Sequence, residues 1–174
     1  GQRSLDLARF EARRGAASVR LDAPTTLAWR EDGLTINKAA VRIGTGLATI
    51  NGRVGDTLDL DVVLRALPLS AAEIVSPGLG LAGVVNGRAT ARGPASAING
   101  DFDLAVANFS NAGVRQAGLQ PLSANATGRF ENGRVRLDGV VNAPRVGQIK
   151  FGGAAPMAAT GALDLAVTGR LDLA

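Results

Sequence analysis

Two pairs of carboxylates, Asp59 with Asp61 and Asp101 with Asp103, are the residues of this sequence best spaced for chemistry. Aspartates at i and i+2 of a strand project from the same face, so each pair can reach one cation or one sugar. The other usual reagents are missing. With no histidine and no cysteine in the chain, the common general base, the thiolate nucleophile and the nitrogen and sulfur metal ligands are absent. The serines have no imidazole to activate them. Each acidic pair also alternates with large apolar residues, Leu58 and Leu60 for the first, Phe102 and Leu104 for the second. A solvated polar face therefore explains both pairs more simply than a site does. The expectation is a protein that is not an enzyme, with no catalytic residue, no metal and no cofactor.

The strands that carry these aspartates come from an alternation that is clearest over residues 123–141. Ala124, Ala126, Gly128 and Phe130 fall on one side of a period of two, and Ser123, Asn125, Thr127 and Arg129 on the other. Past Asn132-Gly133 the alternation resumes, with Val135, Leu137 and Val141 against Arg134, Arg136 and Asp138. Asn-Gly between two such runs predicts a hairpin with a two-residue type I′ turn, which needs positive φ at both central positions. One face of that hairpin is apolar and the other charged.

The same design recurs along the chain. Leu5 and Leu7 alternate, then Phe10 and Ala12 do so in the opposite phase, which predicts a bulge between them. Ala17, Val19 and Leu21 make a short strand closed by Pro24. Leu27 and Trp29 lead into a turn at Glu31-Asp32-Gly33, and Leu34 and Ile36 lead out. Val41 and Ile43 continue to Gly44-Thr45-Gly46, which reads as a bulge or bend. Leu58, Leu60, Val62 and Leu64 oppose Asp59, Asp61, Val63 and Arg65. A helix is predicted over residues 70–75: Ser70 and Glu73 form a capping box, Leu69 and Ile74 a hydrophobic staple, and Pro77-Gly78 the stop. Leu81, Gly83, Val85, Gly87, Ala89 and Ala91 keep one phase through Asn86-Gly87, which favours one long strand over a turn there. Phe102, Leu104 and Val106 follow, and 109–121 reads as loop. Ile149 and Phe151 make a short strand. Leu163, Leu165, Val167, Leu171 and Leu173 alternate to the last residue, so a segment of a longer domain is expected. Asn-Gly at 51, 86, 99 and 132 marks a loose array of irregular spacing.

Composition narrows the class. The chain has 174 residues, 46% hydrophobic and 20% charged, with 23 glycines, 3% aromatics and a net charge of +4. Lysine occurs only at Lys38 and Lys150, and the arginines alternate with aspartates instead of clustering. That is a solvated face and not a nucleic-acid footprint. No apolar run reaches the roughly 20 residues of a membrane span, and the N-terminus shows no signal-peptide core. Any anchor is expected outside residues 1–174.

Leu67-Pro68-Leu69-Ser70, a short helix, Pro77-Gly78-Leu79-Gly80-Leu81-Ala82-Gly83 and then glycine-rich amphipathic strands together resemble the TamB family, within the AsmA-like group of bacterial envelope proteins. The resemblance covers most of the chain and is best over 56–141. It implies an all-β fold: an elongated, U-shaped, mostly antiparallel sheet, the β-taco, with an apolar concave face. It also implies a periplasmic protein anchored in the inner membrane of a Gram-negative bacterium, bridging to the outer membrane and conducting phospholipids. TamB proteins pair with an Omp85-type outer-membrane barrel, TamA, in autotransporter assembly, so that partner is expected through parts outside residues 1–174.

The apolar stripe would then line a groove for acyl chains, made of Leu27, Trp29, Leu34, Ile36, Val41, Ile43, Leu58, Leu60, Val62, Leu64, Leu81, Val85, Phe102, Leu104, Val106, Phe130, Val135, Leu137, Val141, Leu163, Leu165, Val167 and Leu171. Strands of 6 to 8 residues would be roughly 20–26 Å long, and ten of them would extend roughly 50 Å. A leaflet's tail is roughly 15 Å. The competing architecture is a β-sandwich, whose core would favour large residues. Gly83, Gly87, Ala89, Ala91, Ala124, Ala126 and Gly128 are small, which leaves room for a guest. Two further expectations concern sheet edges. They can receive client strands, as in a scaffold for outer-membrane proteins. They can also self-associate through residues 163–173 or the strand near Leu5.

Overall fold

Alternating strands joined by short links should pair with their chain neighbours in antiparallel fashion, and every ladder in the computed structural model is antiparallel. The structure describes residues 3–14, 17–74, 78–94, 97–131, 133–156 and 164–171. The strands are β1 (Arg3–Leu7), β2 (Glu11–Arg14), β3 (Ala17–Leu21), β4 (Thr25–Arg30), β5 (Gly33–Ile43), β6 (Gly46–Gly55), β7 (Thr57–Pro68), β8 (Ala82–Pro94), β9 (Gly100–Ser110), β10 (Leu122–Glu131), β11 (Arg134–Ala143), β12 (Gly147–Pro156) and β13 (Asp164–Leu171). All thirteen form one open, curved sheet. Its path runs β1-β4-β5-β6-β7-β8-β9-β10-β11-β12-β13, with the β2–β3 pair joined beside β4 on the second half of β5.

The described residues add no second layer to the sheet. Apolar burial among the described residues is confined to Ala28, Ala39 and Ala48, and no side chain is fully buried. The accessible surface is 11094 Å², whereas a compact monomer of this mass would expose roughly 8,000 Å². The sandwich is therefore excluded, and an unpartnered face accounts for the excess.

Turns follow local chemistry. Arg30 pairs with Gly33 across Glu31-Asp32, the turn read from the sequence. Glu131 pairs with Arg134 across 132–133, with Gly133 at φ 70, as the type I′ reading requires; Asn132 lies outside the described residues. Gly44-Thr45 is the turn between β5 and β6, since Ile43 pairs with Gly46. Gly44 has φ 57, at the position a type II′ turn reserves for glycine, so this is not a bulge or bend within one strand.

The real bulges lie elsewhere. Between Ile36 and Ala39 two residues of β5 face Asn51, and Lys38 adopts φ 52. Between Leu64 and Leu67 two residues of β7 face Asn86, and Ala66 adopts φ 47. In both places the facing asparagine supplies the missing partner. Asn51 Oδ1 accepts from Lys38 N–H at 3.1 Å, and Asn86 Oδ1 accepts from Ala66 N–H at 2.7 Å. A third bulge, near the end of β9, has Asn108 at φ 55. Bulges bend a strand and sharpen its twist, so these three on alternate strands help to curve the sheet.

Four other expectations are corrected. The phase slip after Leu7 is a break between two strands: β1 pairs with β4 while β2 pairs with β3. The helix expected at 70–75 is a 3-10 turn, Leu69–Ile74, set against β8 and β3; Val75 and Pro77 lie outside the described residues. Its capping box does not close, because Glu73 Oε1 accepts from Gly80 N–H at 3.0 Å instead. The loop read at 109–121 contains the end of β9 and a helical turn, Ala112–Gln116, whose N-cap Asn111 accepts from Val114 N–H at 2.9 Å. Finally, β12 is not short but ten residues, and β5 to β12 run to 10–13 residues.

Candidate functional site

In an antiparallel ladder, directly paired residues project from the same face, so register alone traces a face from strand to strand. One row reads Ala39, Ile50, Val62, Ala89, Phe102, Gly128, Leu137, Gly153, Leu165 across nine strands. The next reads Val41, Ala48, Leu64, Gly87, Leu104, Ala126, Gly139, Phe151, Val167. A third continues through Leu67, Val85, Val106, Ala124, Val141 and Ile149, beside the bulge at Asn108. Every member is apolar. Toward the other rim, Leu58 pairs with Gly93, Phe130 with Val135, Leu27 with Ile36, Leu60 with Ala91, and Trp29 with Leu34. Ile43, paired with Val19, stands on this face too.

Nearly all the groove residues proposed from sequence thus share one face. Leu81 precedes β8 and stands outside the ladder. Leu171 pairs with Gly147 by register. Leu163 lies outside the described residues. Sequence reasoning left Ile50, Val54, Ile149 and Phe151 off the lining, although each carries the parity of its neighbours. Leu5, opposite Leu27, belongs to it as well.

The face is shielded without being covered. In β7 Leu58, Leu60 and Leu64 are half-buried, while Asp59 and Arg65 are exposed. In β10 the small apolar residues are half-buried and Asn125, Thr127 and Arg129 exposed. A flat single layer would expose both faces alike, so this asymmetry puts the apolar face on the inside of the curve. Shielding fades toward the ends, where Trp29 is 42% and Val167 66% exposed.

Small residues on this face do not simply leave space. A Cβ built on Gly128 would meet the Phe102 ring, one on Gly139 the Phe151 ring, and one on Gly87 the Leu104 side chain. Each large residue is the direct cross-strand partner of its glycine. The glycines are seats in which neighbouring side chains lie flat over the strand. The Phe102 and Phe130 rings sit 5.5 Å apart in a tilted contact.

The opposite face is polar and carries several ion pairs. Arg92 binds both members of the first carboxylate pair, Nε to Asp59 at 3.1 Å and a terminal nitrogen to Asp61 at 3.1 Å. Asp101 accepts from the Thr90 hydroxyl at 3.1 Å, and Asp103 stands opposite Arg88. Asp59, Asp61 and Asp101 are thus engaged by neighbours on the polar face. Among the described residues no group of three or more acidic residues could hold a metal ion. At the edge, Arg13 donates to Glu11 at 2.9 Å and, with its charge, holds that carboxyl below its usual range, with Arg9 assisting.

No protein-family model, no curated protein and no solved structure matches the chain. Among the described residues no helix is long and apolar enough to cross a membrane.

Proposed function

We propose that this chain is a stretch of lipid-conducting trough, in which acyl chains lie against the inner face of the sheet and move along it without turnover chemistry. The observation that carries the reading is the unbroken apolar row from Ala39 to Leu165, held open by a sheet to which the described residues add no second layer. Eight strand spacings along that row span about 38 Å, room for more than one tail of roughly 15 Å. Apolar contact is non-directional and worth about 25 cal/mol per Å² removed from water. A tail can therefore shift by one strand spacing and exchange one set of contacts for a similar one. That favours movement and broad lipid tolerance.

The resemblance to TamB-like proteins supports placing the trough in the periplasm of a Gram-negative bacterium, as part of an inner-membrane-anchored protein that delivers phospholipid toward the outer membrane. An Omp85-type barrel would then meet other parts of the protein.

A second reading has its own observation. β13 is the last described strand of the sheet, with an edge unpaired among the described residues, and its Leu165 and Val167 are 43% and 66% exposed. Such an edge can receive a client strand by β-augmentation, as a scaffold for outer-membrane protein assembly would need. Mass spectrometry of lipid carried by the purified protein separates the two.

The decisive experiment uses photo-crosslinking residues at Leu60, Leu104 and Leu137, and at their neighbours on the other face, Asp61, Asp103 and Arg136. Inner-face probes should capture phospholipid in cells and outer-face probes little, because one residue along a strand reverses the face. Equal capture on both faces, or none on either in variants that fold by circular dichroism, would refute the trough.

A further inference from the structure

On the polar face, one group of cations shares a recess. At the turn between β11 and β12 lies a recess of about 680 Å³, lined by residues that include Asn142, Arg145, Gln148, Lys150, Thr168 and Arg170. Three of these are cations, and among the described residues the lining contains no carboxylate. The chain carries 19 basic against 15 acidic residues, and three of the basic ones meet in this one recess.

Register explains how the residues converge. Gln148 stands opposite Arg170, and Lys150 opposite Thr168. Gln148 also faces Asn142 on its other side. Direct cross-strand partners hold their Cβ atoms about 5 Å apart and diagonal ones about 7–8 Å, so Lys150 and Arg170 flank one small area. Gln148 donates its amide to Asn142 Oδ1 at 2.8 Å, which fixes the wall between them. Arg145, at φ 64 in the turn, brings the third cation to the rim. Among the described residues none of the three has a carboxylate partner, unlike Arg42, Arg53 and Arg92 on the same sheet. The nearest acid along β11, Asp138, stands opposite Gly152, a register step beyond Lys150.

We propose that this recess binds a phosphate group. Arginine presents a planar fork that matches phosphate oxygens, lysine adds a point charge, and Thr168 and the Gln148 amide add neutral donors. The group could be a lipid headgroup or a free phosphate. The site does not depend on the trough reading, since it lies on the other face.

The test measures binding of inorganic phosphate and of glycerol 3-phosphate by calorimetry at low salt. It also measures flotation with vesicles of phosphatidylcholine, with and without phosphatidylglycerol. The protein is compared with a Lys150→Gln/Arg170→Gln double variant, with Arg145→Gln, whose turn position keeps the ladder intact, and with Arg88→Gln as a control from the same face. Wild-type binding to a phosphate ligand, weakened about tenfold or more in the double variant, less in Arg145→Gln and not in Arg88→Gln, is the expected result. If inorganic phosphate suffices, the source is free phosphate. If only glycerol 3-phosphate and anionic vesicles bind, it is a headgroup. No binding of any probe by wild type, or equal loss in Arg88→Gln, would overturn the proposal.

Discussion

Replacing Gly139 by alanine tests whether glycines on the inner face are seats for neighbouring rings. The new Cβ would lie 2.7 Å from Phe151 Cε2 and 2.8 Å from the Asn125 carbonyl oxygen, with Phe151 Cζ nearer still. Carbon atoms settle at about 3.5–4.0 Å, so the ring must yield by about 1 Å against a backbone oxygen that cannot. Overpacking of this kind costs about 1–3 kcal/mol. The lost flexibility of glycine in a strand returns about 0.5–1 kcal/mol, leaving a net destabilisation near 1–2 kcal/mol. Gly169 on β13 is the control, because its Cβ would make ordinary contact with Ile149 Cγ1 at 3.5 Å. Gly169→Ala should therefore stabilise, and the same substitution changes sign between two positions of one face. Urea titration with a constant m-value reads both. A double-mutant cycle with Phe151→Ala should recover about 1 kcal/mol as coupling. If Gly139→Ala matches Gly169→Ala, or the cycle is additive, the seat argument is wrong.

Other outcomes follow from the bulges and edges. Asn86→Ala removes the acceptor for Ala66 N–H and should cost about 0.5–1.5 kcal/mol by urea titration. Ala66→Gly, which relieves a residue at φ 47, should stabilise by up to about 1 kcal/mol in the same assay. The chain should self-associate through β13 or β1, the terminal strands of its long path, and a Val167→Lys substitution should raise the monomer fraction in sedimentation. By NMR titration Glu11 should protonate below the usual carboxylate range, and Arg13→Gln should move it back up. Because the folded value is the depressed one, its favourable contribution is present above the unfolded pKa and is lost as pH falls through the folded one.

The sequence is legible wherever parity is unbroken. Leu58 to Leu64 and Val135 to Val141 assign their faces directly, and the three rows assemble from such runs. Legibility fails at the bulges, and for one reason. An inserted residue flips parity, so Leu67 reads as out of phase with Leu64 although both lie on the inner face of β7. The strand then reads as ending early, and a helix is read too close behind it. The same slip hides the continuation from Ile36 to Ala39 and from Val106 to Phe109. Asn51 and Asn86 were visible only as Asn-Gly dipeptides; their role as acceptors for a backbone across the ladder is a pairing between strands that no local pattern encodes. Glycine seats are hidden for the same reason, since Gly128 and Phe102 meet only once register is known.

The antiparallel order of β5 to β13 has a consequence for size. Each strand pairs mainly with its chain neighbours, and its links lie at the sheet's rims, whether two residues long at 44–45 or thirteen at 69–81. A hairpin inserted at a rim would break one ladder, make three, and return the chain in its original direction with the same face inward. Each insertion would lengthen the sheet by two strand spacings, roughly 10 Å. Reach is thus adjustable in steps by duplicating some 25 residues, with no core to repack. A fold closed into a sandwich or a barrel could not grow that way, because its circumference and its filling are linked. An open sheet of this kind can be matched to a gap of almost any width.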